Sequence, residues 1–111
     1  MNTTDHLADA LSALRAVSAA TALLRGEVQP AGARLIVLDH LSSTPERTYE
    51  RAGVDIGLQV GCYAATYEGA LALADEAGAA LEHAGFDQGQ QRPAPQDAAD
   101  TLRGVLTDYT R

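Results

Sequence analysis

The stretch "VDIGLQVGCYA" (54–64) restricts the fold more than any other part of the chain. Val54, Ile56, Leu58, Val60 and Cys62 alternate with Asp55, Gly57, Gln59, Gly61 and Tyr63. A period of two marks a β-strand, because successive side chains point to opposite faces. One face is apolar and the other mixed, so the strand is expected to be buried on one side only. Directly after it, "ATYEGALALADEAGAALEHAG" (65–85) changes to a helical period. Tyr67, Ala70, Leu71, Ala74, Gly78 and Leu81 form a narrow stripe, Thr66 can cap the start, and Gly85 can end the helix. Half of the stripe is Ala or Gly, so this helix is expected to lie close on a sheet.

The other elements follow from weaker signals. Thr3 or Thr4 can cap a first helix, with Asp5 in its first turn and Leu7, Ala10, Leu11 and Leu14 along one face. Ser18 reads as a second cap, opening a short helix "AATALLR" that stops at Gly26. "EVQPAGA" reads as a short extended piece with a Pro and Gly turn. "RLIVLDHL" (34–41) is a strand by its β-branched centre. Residues 86–92 read as a short strand, "PAPQDAAD" as a loop, and "TLRGVLTDYT" (101–110) as a last strand. The order helix, strands, helix, strands predicts one α+β domain over residues 1–111. It has two layers, a mostly antiparallel sheet with helices packed on one face.

A chain of 111 residues supports one modest core, which association with further copies would reinforce. Trp is absent and Phe occurs once, so the core must be built from Leu, Val, Ile and Ala. The net charge is −7 and every positive side chain is an Arg. An acidic chain without a basic run is poorly suited to wrapping DNA or lying on an anionic membrane. A single cysteine rules out disulfides within the chain and any cysteine zinc motif. The N-terminus has acids where a signal peptide needs positive charge, and no stretch reaches membrane-spanning length, so folding in a cytoplasm is expected.

Chemistry is sparse. His6, His40 and His83 fall on different elements with no ligand spacing, and read as scattered surface or half-buried imidazoles; no metal or cofactor is expected. Cys62 lies on the apolar face of the strand, the opposite of the electropositive setting a catalytic thiol needs. Asp75 and Glu76 are adjacent on a helix and point apart, as on a solvated face. No nucleophile elbow, phosphate loop or dinucleotide fingerprint is present, so no catalytic residue is assigned. Gly57 and Gly61 flank Gln59 on the polar face of the strand. They fit either a flat surface or the close approach of another backbone.

Between the two central strands lies "SSTPERTYERAG" (42–53), expected to be a loop. Its charges cancel, since Glu46 and Glu50 balance Arg47 and Arg51. A nucleic-acid loop would be net basic. Arg and Glu alternating around Tyr49 suit contact between protein chains; a solvated hairpin tip is the other reading.

Several stretches together carry a resemblance. These are "LLRGEVQPAGARLIVLDH", the polar hairpin loop, the passage "VGCYAATYEGALALADEAGAAL", and the closing "DTLRGVLTDYTR". In this order they resemble the tail terminator (tail completion) proteins of long-tailed bacteriophages. The resemblance covers nearly the whole chain and rests on patterns of residue type. It implies a non-enzymatic virion protein that assembles as a homo-oligomer, a hexameric ring, at the head-proximal end of the tail tube. Such a ring ends tail polymerisation and offers a head-joining surface. The implied partners are the tail tube protein and the head–tail connector protein, with DNA passing through the ring unbound and no membrane. The implied place is the virion tail or neck, after assembly in the host cytoplasm. The loop would then sit at subunit contacts or in the lumen. The candidate interface residues are Glu46, Arg47, Tyr49, Glu50 and Arg51, with Gly57, Gln59 and Gly61. Two alternatives stand beside it. One is a neck protein joining head to tail. The other is a small soluble α+β ligand-binding domain, with Asp39, His40 and Gln59 as polar groups of a pocket between the Ala-rich helix and the sheet.

Overall fold

A computed structural model of the chain describes residues 3–17, 21–24, 34–45, 54–95 and 102–111. Its elements are α1 (Thr3–Arg15), β1 (Thr21–Leu24), β2 (Leu35–Pro45), β3 (Val54–Ala64), α2 (Tyr67–His83), β4 (Asp87–Pro93) and β5 (Arg103–Thr110). The strands form one sheet in the order β1-β2-β3-β5-β4. Neighbours are antiparallel except β1 and β2, which run parallel. Both helices contribute to one core against the sheet, so the two-layer α+β architecture is the one expected from the periodicities.

β3 is the central strand. Ile56, Leu58, Val60 and Cys62 are buried on its inner face, beside Ile36 and Leu38 of β2 and Val105, Thr107 and Tyr109 of β5. Each fully buried Leu, Ile or Phe contributes about 1.5–3 kcal/mol of apolar transfer. The Thr107 hydroxyl is buried among these side chains without a hydrogen-bond partner among the described residues.

α2 begins where the sequence predicts. Thr66 is extended at the N-cap and its hydroxyl accepts a hydrogen bond from Gly69 N at 3.0 Å. The end is a Schellman turn: Phe86 N donates to Leu81 O at 2.9 Å and Gly85 N to Glu82 O at 3.0 Å. Gly85 supplies the positive φ, +93°. Leu81 and Phe86 are both buried, which gives the turn its usual apolar contact. The buried stripe differs from the expected one. It runs Ala70, Leu73, Ala74, Ala77, Gly78 and Leu81, while Tyr67 in the first turn is exposed and Leu71 only half-buried. Facing the sheet decides this stripe, and the sheet lies a little round the helix from the centre of the Tyr67–Leu71 pattern. The helix does lie close: a Cβ at Gly78 would stand 3.0 Å from the Tyr109 hydroxyl.

Three expectations are corrected. Residues 21–24 are a strand, not helix. Thr21–Leu24 pairs in register with Leu35–Leu38 along an otherwise open edge, and Ala22 enters the core. Ala and Leu favour helix locally, but a helix this short has no stability of its own, and tertiary pairing wins. Second, β2 does not stop at residue 41. Ser42–Pro45 pair with Val54–Gly57, after a bulge at Leu41 between His40 and Ser42. The bulge restarts the register, so polar Ser and Thr residues extend a ladder that composition alone reads as loop. Third, His6 is buried on α1 beside Ala10 and Leu14, with Leu7 and Leu11 half-buried; His40 and His83 are exposed. The expected cap at Ser18, the extended piece at 27–30 and most of the loop at 93–100 lie outside the described residues.

Arg111 ties the layers together. It exchanges two 3.2 Å backbone hydrogen bonds with Ile56, pairs with Asp9 of α1 at 2.8 Å, and holds its guanidinium 4.7 Å over the Phe86 ring.

Candidate functional site

The face of the sheet away from the helices is built from the mixed side of β3. Its rows follow from register. Tyr63 stands between Leu35 and Gly104; Gly61 between Val37 and Leu106, with Arg92 next along; Gln59 between Asp39 and Asp108; and Gly57 between Ser42 and Thr110. The candidate residues Gly57, Gln59 and Gly61 therefore share this face, at half-buried positions for the first two and a buried one for Gly61. The remaining candidates, Glu46, Arg47, Tyr49, Glu50 and Arg51, lie outside the described residues.

A side chain of the same molecule explains two of the glycines here. The Tyr63 ring lies across Gly61 and Gly104. A Cβ on Gly61 would stand 2.8 Å from Tyr63 Cε2, and one on Gly104 would stand 2.5 Å from Cε1 and 2.8 Å from the Ala94 Cβ. The ring covers backbone that glycine leaves bare. The result is a low platform of Val37, Tyr63 and Leu106, all half-buried, next to the polar row Asp39–Gln59–Asp108. Arg92 reaches into that row, with Nη1 3.2 Å from both carboxylate oxygens of Asp108. Sequence reading missed Tyr63, Gly104, Arg92 and Asp108. A pointer was present in the aromatic residue two places after Gly61, on its own face of the strand. Gly104 and Arg92 become neighbours only through pairing with β5 and β4.

The polar trio of the ligand-binding alternative does not converge. Asp39 and Gln59 are cross-strand partners on the open face. His40 is the next residue along β2 and projects to the other side, so no pocket under α2 can use all three. A groove of about 560 Å³ lies between α1 and α2, lined by Asp9, Ser12, Ala13, Ala16, Ala80, His83 and Ala84.

Cys62 and Tyr109 are set in apolar surroundings on the inner face. Burial pushes the Cys62 thiol up to about 12. Burial, with smaller contributions from Cys62, Glu82 and Asp75, pushes the Tyr109 phenol up to about 12. Both stay protonated at neutral pH, which makes Cys62 a small core residue and not a thiolate nucleophile, as its strand position predicts. Asp75 and Glu76 are exposed on α2. Among the described residues, no three His, Cys, Asp or Glu side chains are grouped to hold a metal ion. No described helix is long and apolar enough to cross a membrane.

β5 accompanies β3 as far as Gly57–Thr110, and the Ile56–Arg111 hydrogen bonds close that ladder. β1 accompanies β2 only over Leu35–Leu38. Thr44, Pro45, Val54 and Asp55 thus form a two-stranded ribbon with no flanking strand among the described residues. Leu41, at the bulge where the ribbon departs, is about half exposed at 51%. Compared with known proteins, the chain matches no protein-family model and no curated protein.

Proposed function

We propose that this chain is a structural protein of a long-tailed bacteriophage. It forms a ring at the head-proximal end of the tail tube, ends tube polymerisation and presents a surface for head joining. The strand-to-helix passage at 54–85 and the terminal strand support this reading through the resemblance they carry. The observation that carries it furthest is the β2–β3 ribbon. A two-stranded hairpin is marginal in water unless something packs against it. A neighbouring subunit would supply that packing, with Leu41 as an apolar contact at the ribbon's base. The connecting residues Glu46, Arg47, Tyr49, Glu50 and Arg51 bring the balanced charge and aromatic character favoured between protein chains. Charge supports the passage of DNA. The two helices hold six acids against a single Arg, so a lumen lined by them would repel phosphates.

The test is self-association and tube capping in one preparation. Mass is read by light scattering over a wide concentration range, with and without magnesium, and binding to purified tube ends is read by electron microscopy. The ring reading expects wild-type chain to cap tubes, and expects the double variant Arg47→Glu/Arg51→Glu to keep its circular dichroism while losing assembly and capping. A wild-type chain that neither assembles nor binds tube ends would remove the reading. Unchanged assembly of the double variant would remove the loop from it.

A further inference from the structure

The fold divides into two parts by what the removal of each would break. β2, β3, β5 and β4 follow one another across the sheet through antiparallel ladders, and α2 packs on β3, β5 and β4. α1 and β1 stand outside that set. β1 is four residues long, lies at one edge of the sheet and pairs with β2 in parallel. α1 packs over β1 and β2 and beside α2. Residues 3–24 can therefore leave with every antiparallel ladder intact.

Their apolar anchorage is thin. The side chains buried within α1 are His6, Ala10 and Leu14, so two of the three are an imidazole and a methyl group. Val17 and Ala22 add to them, and Leu7 and Leu11 are half-buried. α2 buries six residues, Leu73 and Leu81 among them, and is closed by its Thr66 cap and its Schellman turn. A methyl group gains much less from leaving water than a full Leu side chain does. An ion pair adds to the hold on α1. Arg111 is fixed to the sheet by its two backbone bonds with Ile56 and lies over the Phe86 ring, and from there it reaches Asp9 at 2.8 Å.

We infer that residues 3–24 form a flap, latched by Asp9–Arg111, that opens as a unit while β2–β5 and α2 stay folded. Elements with few buried apolar contacts are the ones that open below the free energy of global unfolding. Opening uncovers the inner-face side chains Ile36 and Leu38, which share the core with Ala10 and Leu14, and frees the Leu35–Leu38 edge of β2. The inference rests on packing and topology, and not on the tail reading.

Amide hydrogen exchange on the intact chain tests it. In wild type the amides of α1 and β1 are expected to exchange together, about tenfold or more faster than those of Ala70–Leu81 in α2, and with a weaker dependence on urea. Asp9→Asn removes the latch charge without changing a buried side chain. It is expected to speed exchange in α1 and β1 by about two- to fivefold and to leave α2 unchanged. Salt at about 1 M should have the same effect on wild type and little further effect on the variant. Two results would overturn the inference. One is a common rate and urea dependence for α1, β1 and α2, which would make the fold a single opening unit. The other is an Asp9→Asn chain in which α1 is unchanged, or in which α1 and α2 quicken equally, which would show that the pair latches nothing.

Discussion

Tyr63 and Gly104 show how one residue's identity depends on another. The two are direct cross-strand partners, and the ring takes the space a side chain at 104 would need. Gly61 lies under the far edge of the same ring. These two glycines should respond differently to Ala. At Gly61 only the outer ring atoms obstruct, and a half-buried tyrosine can swing aside; the lost chain entropy of glycine in a strand offsets the shift. At Gly104 the obstruction comes from the ring on one side and the Ala94 Cβ on the other. Urea unfolding is expected to show Gly61→Ala within about 0.5 kcal/mol of wild type and Gly104→Ala destabilised by about 1–3 kcal/mol. Part of the Gly104→Ala loss should return in the Tyr63→Ala background, as residues in contact are coupled. Equal costs at the two glycines, or strict additivity with Tyr63→Ala, would show that the ring is not what selects glycine.

Among the elements, α2 was the most legible and β1 the least. α2 announces itself through a capping threonine, a run of strong helix formers and a glycine stop, all within its own span. Its end depends on Gly85, whose φ of +93° costs any L side chain strain. Gly85→Ala is expected to lower stability by about 1–2 kcal/mol. Hydrogen exchange should quicken first at the amides of Gly85 and Phe86, which close the Schellman turn. Uniform quickening along α2, or none, would show that the turn is not a local stop. β1 has no comparable signal. "TALL" reads as helix by propensity, and only the exposed edge of β2 makes it a strand. The extension of β2 through Ser42–Pro45 was hidden for the same reason: its ladder partner is β3, and the Leu41 bulge breaks the alternation that would have revealed it.

For the whole molecule, the acid–base behaviour of the core gives a stability curve with a definite sign. Cys62 and Tyr109 have ordinary values of 9.0 and 10.0, and both are pushed to about 12 in the folded chain. Above about pH 9 the unfolded chain loses these protons while the folded chain keeps them. The folded state then binds more protons, so stability falls as pH rises, by up to about 1.4 kcal/mol per pH unit for each group. The melting temperature is expected to be flat from about pH 7 to 8.5 and to drop steadily between about pH 9 and 11. Cys62→Val with Tyr109→Phe should flatten most of that drop. An unchanged alkaline slope in the double variant would show that other groups govern it.

The sequence by itself determined what depends on near neighbours. The alternation of 54–64 settled a one-sided strand, the cap and stop settled α2, and the burial of Cys62 followed from its place in the alternation. The order of elements was enough for a two-layer α+β architecture. Pairing across distance was decided only by the tertiary structure: the parallel β1 edge, the lengthened hairpin, the Tyr63 platform and the Asp9–Arg111 link across 102 positions. Local propensity concerns a few bonded neighbours, whereas a sheet face is assembled from strands far apart in the chain. For that reason Gln59 and Gly61 could be assigned to the polar side of β3 from sequence, but Asp39, Arg92 and Asp108 could be set beside them only once register was known.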